Sequence, residues 1–391
     1  MSDTYDISIV GGALTGSSTA YHLLMRDPTL RVAVIERDMS FEFAASARSN
    51  AMVRVVFSQP ENLLMSRYGQ EVYGNYSDLM DVDGSRPHLD YLRGGLLIIG
   101  NTDEQAEDIR VNAAFQSGMG CDVDLLTPSE IAARWPALNT QDISQAVLSP
   151  DAGWIDPHGA MTGLRKKTRA LGAEYINGDV MAITGQGAQV QSLTLADGRD
   201  IAARWIVNAA GAWAPELCRM AGFDIPVVPL PRMVYYFEPQ EPVEALPYIR
   251  DGLGVGFRRE GRGFISGVTD FEIAGAFDFN VRHEWFEERV WMGLANRVPA
   301  FERIKVMNSW VGHYAQNLFD GNMVIGAWPG GYDNFLIATG YSGHGLQHAP
   351  AVGRALSELI LDGGFQSIDL TQLTCQRVID NLPYAERGWK A

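Results

Sequence analysis

The 391-residue chain is poor in cysteine, with only Cys121, Cys218 and Cys375. They stand far apart, in odd number and without a Cys-x-x-Cys spacing, which excludes a disulfide framework and a zinc site. Long apolar runs are also missing. The strongest, Leu96 to Ile99, is closed off by glycines and falls far short of the ~20 residues needed to cross a bilayer, so no transmembrane segment is expected. Positive charge is in deficit, with 31 Lys and Arg against 47 Asp and Glu, a net charge of −16. A surface of that sign repels phosphate backbones, so nucleic acid is not an expected partner. The opening MSDTYDISIV carries Asp3 and Asp6 where a signal peptide needs basic residues, which points to a cytoplasmic protein. No period of about 20 to 50 residues repeats, so solenoids and propellers are not expected. What remains is ordinary globular composition, 46% apolar and 20% charged. At ~150 residues per domain, two to three domains have room to form.

Glycine, by contrast, is plentiful and placed. The apolar run Asp6 to Val10 breaks into Gly11, Gly12 and Gly16, and Ala20, Leu23 and Leu24 then follow at helical spacing. After Pro28 a second apolar run, Arg31 to Ile35, ends on Glu36. Strand, glycine turn, helix, strand and carboxylate in that order suit an adenine dinucleotide. The helix would aim its free amides at a pyrophosphate, and Glu36 would accept from the ribose hydroxyls. The Gly-x-Gly-x-x-Gly fingerprint falls on Gly11, Ala13 and Gly16, so its middle position is an alanine. A glycine-rich turn in any α/β protein is the competing reading of the turn alone.

Downstream, a helix is expected over Thr162 to Leu171, with Asp156-Pro157 as its cap. A strand follows near Gly172 to Ile176, then a hairpin-like pair through Leu193 to Leu195 and a buried strand, Trp205 to Asn208. Gly254 to Thr269 alternates like a strand pair around a turn at Glu260 to Gly263. Phe335 to Ala338 reads as a strand, Gly340 to Gly345 as a turn, and Leu346 to Leu361 as an amphipathic helix interrupted by Pro350. The alternating aromatics Tyr235, Tyr236 and Phe237 read as core rather than as a cavity lining, and His22 and His158 as structural.

Four stretches carry a family likeness: ISIVGGALTGSSTAYHLL (7–24), SNAMVRVVFSQPENLLMS (49–66), VNAAGAWA (207–214) and GYSGHGLQHAPAVGRALSELI (340–360). In them the chain resembles the D-amino-acid-oxidase superfamily of flavoproteins, nearest the branch of sarcosine oxidase, glycine oxidase and FOXRED-type FAD-dependent oxidoreductases. The likeness implies an α/β plus α+β fold, in which a Rossmann-like FAD-binding domain is interleaved with an antiparallel-sheet substrate domain. The first would take residues 1–86, 146–220 and 321–391, the second 87–145 and 221–320.

The resemblance also implies a cofactor, FAD, and a set of residues to hold it: Gly11, Gly12, Ala13, Gly16, Ser17, Glu36, Arg37, Ser46, Asn50, Ala51, Val180, Ala210, Gly211, Trp213, Gly340, Ser342, Gly343, His344, Gly345 and Leu346. Amides at the start of the last helix would stabilise charge at the flavin edge. Arg54 is the first candidate for a substrate carboxylate, which a guanidinium binds bidentately, with Arg258 a further candidate. Tyr314 falls where sarcosine oxidase has a tyrosine and glycine oxidase an arginine. Gln347 stands where sarcosine oxidase has a lysine, Ile265 and Thr269 where it has an oxygen-activating lysine and a histidine, and Gly312 where it has the cysteine that binds flavin. A noncovalent FAD is therefore expected.

The activity so implied is oxidation of a C–N bond in a small secondary amine or N-substituted amino acid, by hydride transfer to flavin N5 and hydrolysis of the imine. Oxygen or another acceptor would take the electrons. Two alternatives stay open. One is 2-hydroxy-acid oxidation, which needs a base such as His344 or His313. The other is a flavin-bearing assembly or interaction factor with little turnover.

Overall fold

The computed structural model describes residues 3–388. Residues 1, 2 and 389–391, at the outer ends of the expected FAD domain, lie outside the described residues. Two eight-stranded sheets form the body. The first is ordered Val324–Ala327, Phe335–Thr339, Asp200–Asn208, Asp3–Val10, Val32–Glu36 and Glu174–Asn177, with Gln189–Leu195 and Val180–Gln186 branching from Asp200–Asn208. Its centre is parallel, Asp3–Val10 lying between Asp200–Asn208 and Val32–Glu36. Such strands are covered on both faces, which is why Val32 to Ile35 run apolar without alternation and are all buried.

Helix Leu14–Arg26 covers one face together with the last long helix, Gly345–Leu361. The first helix starts at Leu14, ahead of the apolar spacing of Ala20, Leu23 and Leu24, and takes Gly16 into its first turn. Gly16 must be glycine, because a Cβ there would collide with the Gly11 carbonyl oxygen. Pro350 does not interrupt the last helix. Its missing N–H leaves the Leu346 carbonyl without its helical donor, and the Tyr73 hydroxyl donates to that oxygen at 2.6 Å. Asp156 caps helix Pro157–Ala170, accepting from the His158 amide at 2.9 Å.

The second sheet is ordered Ile304–Asn317, Val227–Pro239, Gly263–Thr269, Gly256–Glu260, Tyr248–Asp251, Leu96–Gly100, Gln145–Ser149 and Asp124–Leu126. It is antiparallel except where Tyr248–Asp251 runs parallel to Leu96–Gly100. Gln145–Ser149 belongs wholly to it, so residue 146, the expected start of a segment of the FAD domain, falls inside one of its strands. Alternation along Val227–Pro239 splits its side chains. Tyr235 and Phe237 enter a core with Phe257, Phe264 and Phe301, while Arg232 and Val234 face the first sheet across a cavity. A fully buried ion pair pins the end of strand Tyr248–Asp251: Arg297 Nε donates to Asp251 Oδ2 at 2.5 Å. Among the described residues, no helix is long and apolar enough to cross a membrane.

Candidate cofactor and substrate site

Between the two sheets runs a cavity of about 700 Å³, from Glu36 and Arg37 past Gly11 and Ala13 to Gly343–Gln347 at the start of the last helix. Its floor is mostly backbone. Gly11, with φ +100°, turns the chain out of the first strand. Helix Leu14–Arg26 follows with no side chain capping its first amides and no acidic residue in its first turn, which leaves an anion-binding end. Glu36 is held from two sides, Oε2 accepting from the Gly12 amide at 2.9 Å and Oε1 from the Asp38 amide at 3.0 Å. The Arg37 guanidinium lies 4.1 Å over the Trp213 ring, and Trp213 stacks with Phe277 at 4.6 Å.

One feature of this floor tests the fit of a dinucleotide directly. Asn50 is buried against the cavity, and neither its Nδ2 nor its Oδ1 has a partner among the described residues. Both a donor and an acceptor there call for a polar ligand. With the helix start and Glu36, the residues fit FAD.

Of the expected cofactor residues, Gly11, Ala13, Glu36, Arg37, Ser46, Asn50, Ala51, Val180, Ala210, Gly211, Trp213, Gly343, His344, Gly345 and Leu346 all line the cavity. Gly12, Gly16, Ser17, Gly340 and Ser342 stand behind it and shape the turns. Ser17 donates to the Gly12 carbonyl at 2.8 Å and shares a hydrogen bond of 2.7 Å with the Tyr175 hydroxyl. Ser342, at φ +47°, accepts from the Asn317 amide at 3.0 Å.

Polar side chains gather at the far end of the cavity. Arg54 is buried; its amide donates to Gln347 Oε1 at 3.0 Å and its Nη1 to the Val56 carbonyl at 2.9 Å, with the guanidinium 4.3 Å over Phe57. Tyr314 packs on Gly343, whose positive φ and missing Cβ admit the ring. From the roof come Arg232, 5.7 Å over the Tyr314 ring, Arg250 and Tyr248. Two strand glycines make space for them. A Cβ on Gly267 would run into the Arg232 guanidinium, and one on Gly256 would lie 3.2 Å from the Tyr248 hydroxyl.

Electrostatics follow from this crowding. Burial, then the nearby Arg250, pushes Arg54 down to about 9. Burial followed by Arg54, His348 and Arg250 holds His344 well below the ordinary imidazole value. His348 falls to about 3 through burial and Arg54, and His313 to about 4 through burial and Arg48. These imidazoles are neutral at physiological pH and weak as bases. Neither ring nitrogen of His313, which lines the cavity beside Phe277 and Phe279, has a partner among the described residues.

Arg258 is turned away from the cavity. Its Nε donates to the Asn50 carbonyl at 3.0 Å and its Nη1 to Glu260 at 2.5 Å, so it buttresses Asn50 from behind. Ile265 is buried without lining the cavity, whereas Gly267 and Thr269 of the same strand do line it. Gly312 packs against Arg48, and no cysteine or lysine lines the cavity among the described residues. Sequence reasoning passed over Arg232, Arg250 and Tyr248. The available signal was a charged residue at an inward position of an otherwise apolar strand, as in Leu230-Pro231-Arg232-Met233-Val234.

Comparison with known proteins agrees with this geometry. Residues 6–359 match the family described as DAO, FAD dependent oxidoreductase. The chain is 33% identical to FAD-dependent oxidoreductase domain-containing protein 1 of Xenopus laevis, over 98% of this chain and 84% of that protein. It is 23% identical to the peroxisomal sarcosine oxidase of Homo sapiens, over 91% and 92% of the two chains. Among solved structures, the L-proline dehydrogenase of P. horikoshii superposes with a TM-score of 0.88 at 25% identity, covering 98% of this chain and 100% of that one.

Proposed function

Because the chain belongs to the DAO family of FAD-dependent oxidoreductases, we propose that it oxidises a C–N bond in a small secondary amine or N-substituted amino acid bearing a carboxylate. One observation carries this reading: the flavin end of the cavity holds a buried guanidinium, Arg54, beside imidazoles that burial has made poor bases. FAD, when bound, supplies the hydride acceptor. The floor that would hold it runs from Glu36 and the first helix start to Asn50 and the amides of Gly343 to Leu346.

Arg54 binds and orients the substrate carboxylate, with Gln347 fixing the backbone of Arg54 through its amide. The surrounding positive charge disfavours an ammonium group, so the amine is held in its neutral form with its lone pair available. An amine bound that way needs no protein base. An alcohol does need one, and the lowered basicity of His344 and His313 works against 2-hydroxy-acid oxidation. Tyr314 and the roof close the site against water. The lack of a cavity cysteine among the described residues supports noncovalent FAD.

The test is anaerobic titration of the purified holoprotein with N-methyl amino acids, cyclic secondary amines, D-amino acids and 2-hydroxy acids, following the visible flavin band. Bleaching by amines with none by hydroxy acids is expected, and the rate of recovery in air separates oxidase from dehydrogenase. Bleaching by hydroxy acids alone would overturn the proposal. A protein that holds FAD tightly and is bleached by nothing in the panel would turn the reading towards the assembly role. Release of the yellow colour on denaturation and filtration checks the noncovalent attachment.

A further inference from the structure

Arg54 sits on a stretch of chain with no regular structure to hold it. Residues 54–59 run between strand Met52–Val53 and helix Pro60–Gly74. The guanidinium leans on this same stretch, its Nη1 donating to the Val56 carbonyl and its charge lying over the Phe57 ring. Backbone groups outside a ladder or helix need partners from elsewhere. Here they come as side chains from distant parts of the chain. Gln347 of the last helix accepts from the Arg54 amide at 3.0 Å, Gln116 of helix Asp103–Gly118 donates to the Phe57 carbonyl at 3.1 Å, and Glu386 accepts from the Ser58 amide at 2.6 Å.

Glu386 makes the most of these contacts. Its Oε2 also accepts from the Ser58 hydroxyl, and its Oε1 accepts from Asn62 Nδ2 at 2.6 Å. One carboxylate thus ties the end of the loop to the first turn of helix Pro60–Gly74. Gln59, the cap residue of that helix, offers it no side-chain acceptor, and a carboxylate is the charge a helix start favours. The chain around Glu386 is fixed in turn. Gln59 Nε2 donates to the Ala385 carbonyl at 2.7 Å, the Arg387 amide to Ser58 Oγ at 2.6 Å, and the Tyr384 hydroxyl to Glu61 at 2.8 Å. Burial and Arg250 lower Arg54, and Glu386 is the carboxylate that most offsets them. Yet Glu386 does not line the cavity, and neither do Val56, Phe57 and Ser58. Phe57 passes any displacement forward, because its ring packs at 4.3 Å under the Arg54 guanidinium and at 5.0 Å against His344, both of which line the cavity.

We infer that Glu386 is a positioning residue of the substrate site: it clamps Ser58 and Asn62, and so fixes the loop whose Val56 carbonyl and Phe57 ring aim the Arg54 guanidinium at the substrate carboxylate. The inference rests on Arg54 as the carboxylate anchor of the proposed amine oxidation, and it brings residues 384–387 into the selection of an acidic substrate. Bidentate pairing of a guanidinium with a carboxylate tolerates little misalignment. A clamp outside the cavity therefore still sets the affinity within it.

Two redox-inert thioethers test it without turnover, methylthioacetate with a carboxylate and methylthioacetamide without the charge. Each is titrated into the FAD-loaded protein and read as a perturbation of the flavin spectrum. The unaltered protein should bind methylthioacetate roughly 30-fold more tightly than the amide, and Arg54→Gln should abolish that preference. Glu386→Ala should weaken methylthioacetate roughly 10-fold and leave methylthioacetamide and FAD affinity unchanged. Glu386→Gln keeps an acceptor for Ser58 and should restore methylthioacetate to within about 3-fold. Ser58→Ala removes the hydroxyl half of the clamp and should give the same selective loss, about 3-fold; it carries the test if Glu386→Ala does not fold.

An equal loss for both probes in Glu386→Ala or Ser58→Ala, or a loss for neither, overturns the inference and leaves Arg54 as the anchor. Failure of Glu386→Gln to restore binding overturns the clamp as well. If the unaltered protein shows no preference for the carboxylate, the anchor and the inference fall together. A preference that Glu386→Ala removes, in a protein that no amine bleaches, would instead overturn the amine chemistry and leave the clamp standing.

Discussion

Along its floor, from Gly11 to Ala13 and from Gly343 to Leu346, the cavity is lined by turns and helix starts, whereas the roof presents the side chains of Arg232, Arg250, Tyr248 and Tyr314. The floor grips through groups every residue possesses, so what matters there is where glycine lets the chain go. The roof grips through guanidiniums and phenols, so what matters is which side chain each strand turns inward. A cofactor common to many proteins suits the first kind of surface, and a particular substrate suits the second. Glycine itself shows the contrast. Gly16 admits backbone, the Gly11 carbonyl, while Gly267 admits the end of a flexible side chain, Arg232.

The largest expected effect comes from filling the floor glycine. Gly16→Ala should cost about 3 kcal/mol or more, because backbone cannot step aside; urea unfolding should register the loss, and the purified protein should be colourless. If the variant keeps its FAD and its midpoint, the close approach of helix to strand is not what builds the floor. On the roof, Asp251→Ala leaves Arg297 Nε buried without its acceptor while Asp142 still pairs with the guanidinium, which costs about 1–3 kcal/mol. Thermal melts should show it, and Asp251→Asn should recover part through its remaining acceptor.

Acid provides a third comparison, this time of buried histidines. His22 and His313 sit near 4 in the folded chain, against an ordinary value of 6.5, with burial the main cause for both. Between pH 6.5 and 4 the unfolded chain therefore binds more protons, and stability falls as pH falls through that window. Melting temperature measured down the pH series should decline, and His22→Gln should flatten the slope without touching substrate binding.

Smaller still, Glu36→Ala should weaken FAD about 10-fold, the scale of one lost hydrogen-bonding partner, with the substrate constants of the FAD-saturated protein unchanged. Gly267→Ala should be smallest in stability, below about 1 kcal/mol, since Arg232 can swing away. Its signature is a raised KM at unchanged FAD affinity. Were Gly267→Ala to lose FAD and Glu36→Ala to lose substrate, the division between floor and roof would be mistaken.

Legibility of the chain follows the same division. Asp6 to Glu36 could be read as strand, turn, helix, strand and carboxylate because the pieces of that unit are neighbours in sequence. The helix after Gly340 to Gly345 was equally plain, although its continuity through Pro350 was not, because Tyr73, the donor that compensates for proline, lies some 270 residues away. Arg54 stood out as a candidate from its motif, and it lies on the cavity lining. Arg232 and Arg250 did not, since their meaning depends on Gly256 and Gly267 lying beside them across the sheet. Arg258 carried the same charge and a suggestive setting, yet hydrogen bonds to Asn50 and Glu260 turn it from the cavity.

By itself, then, the sequence determined the dinucleotide half of this protein: the glycine turn, the uncapped helix start and Glu36 are local, and local geometry is encoded by adjacent residues. Only the tertiary structure decided which charges meet over the reacting centre. Burial, desolvation and like-charge crowding are properties of side chains that converge from strands far apart in the chain, and no spacing along the sequence records them.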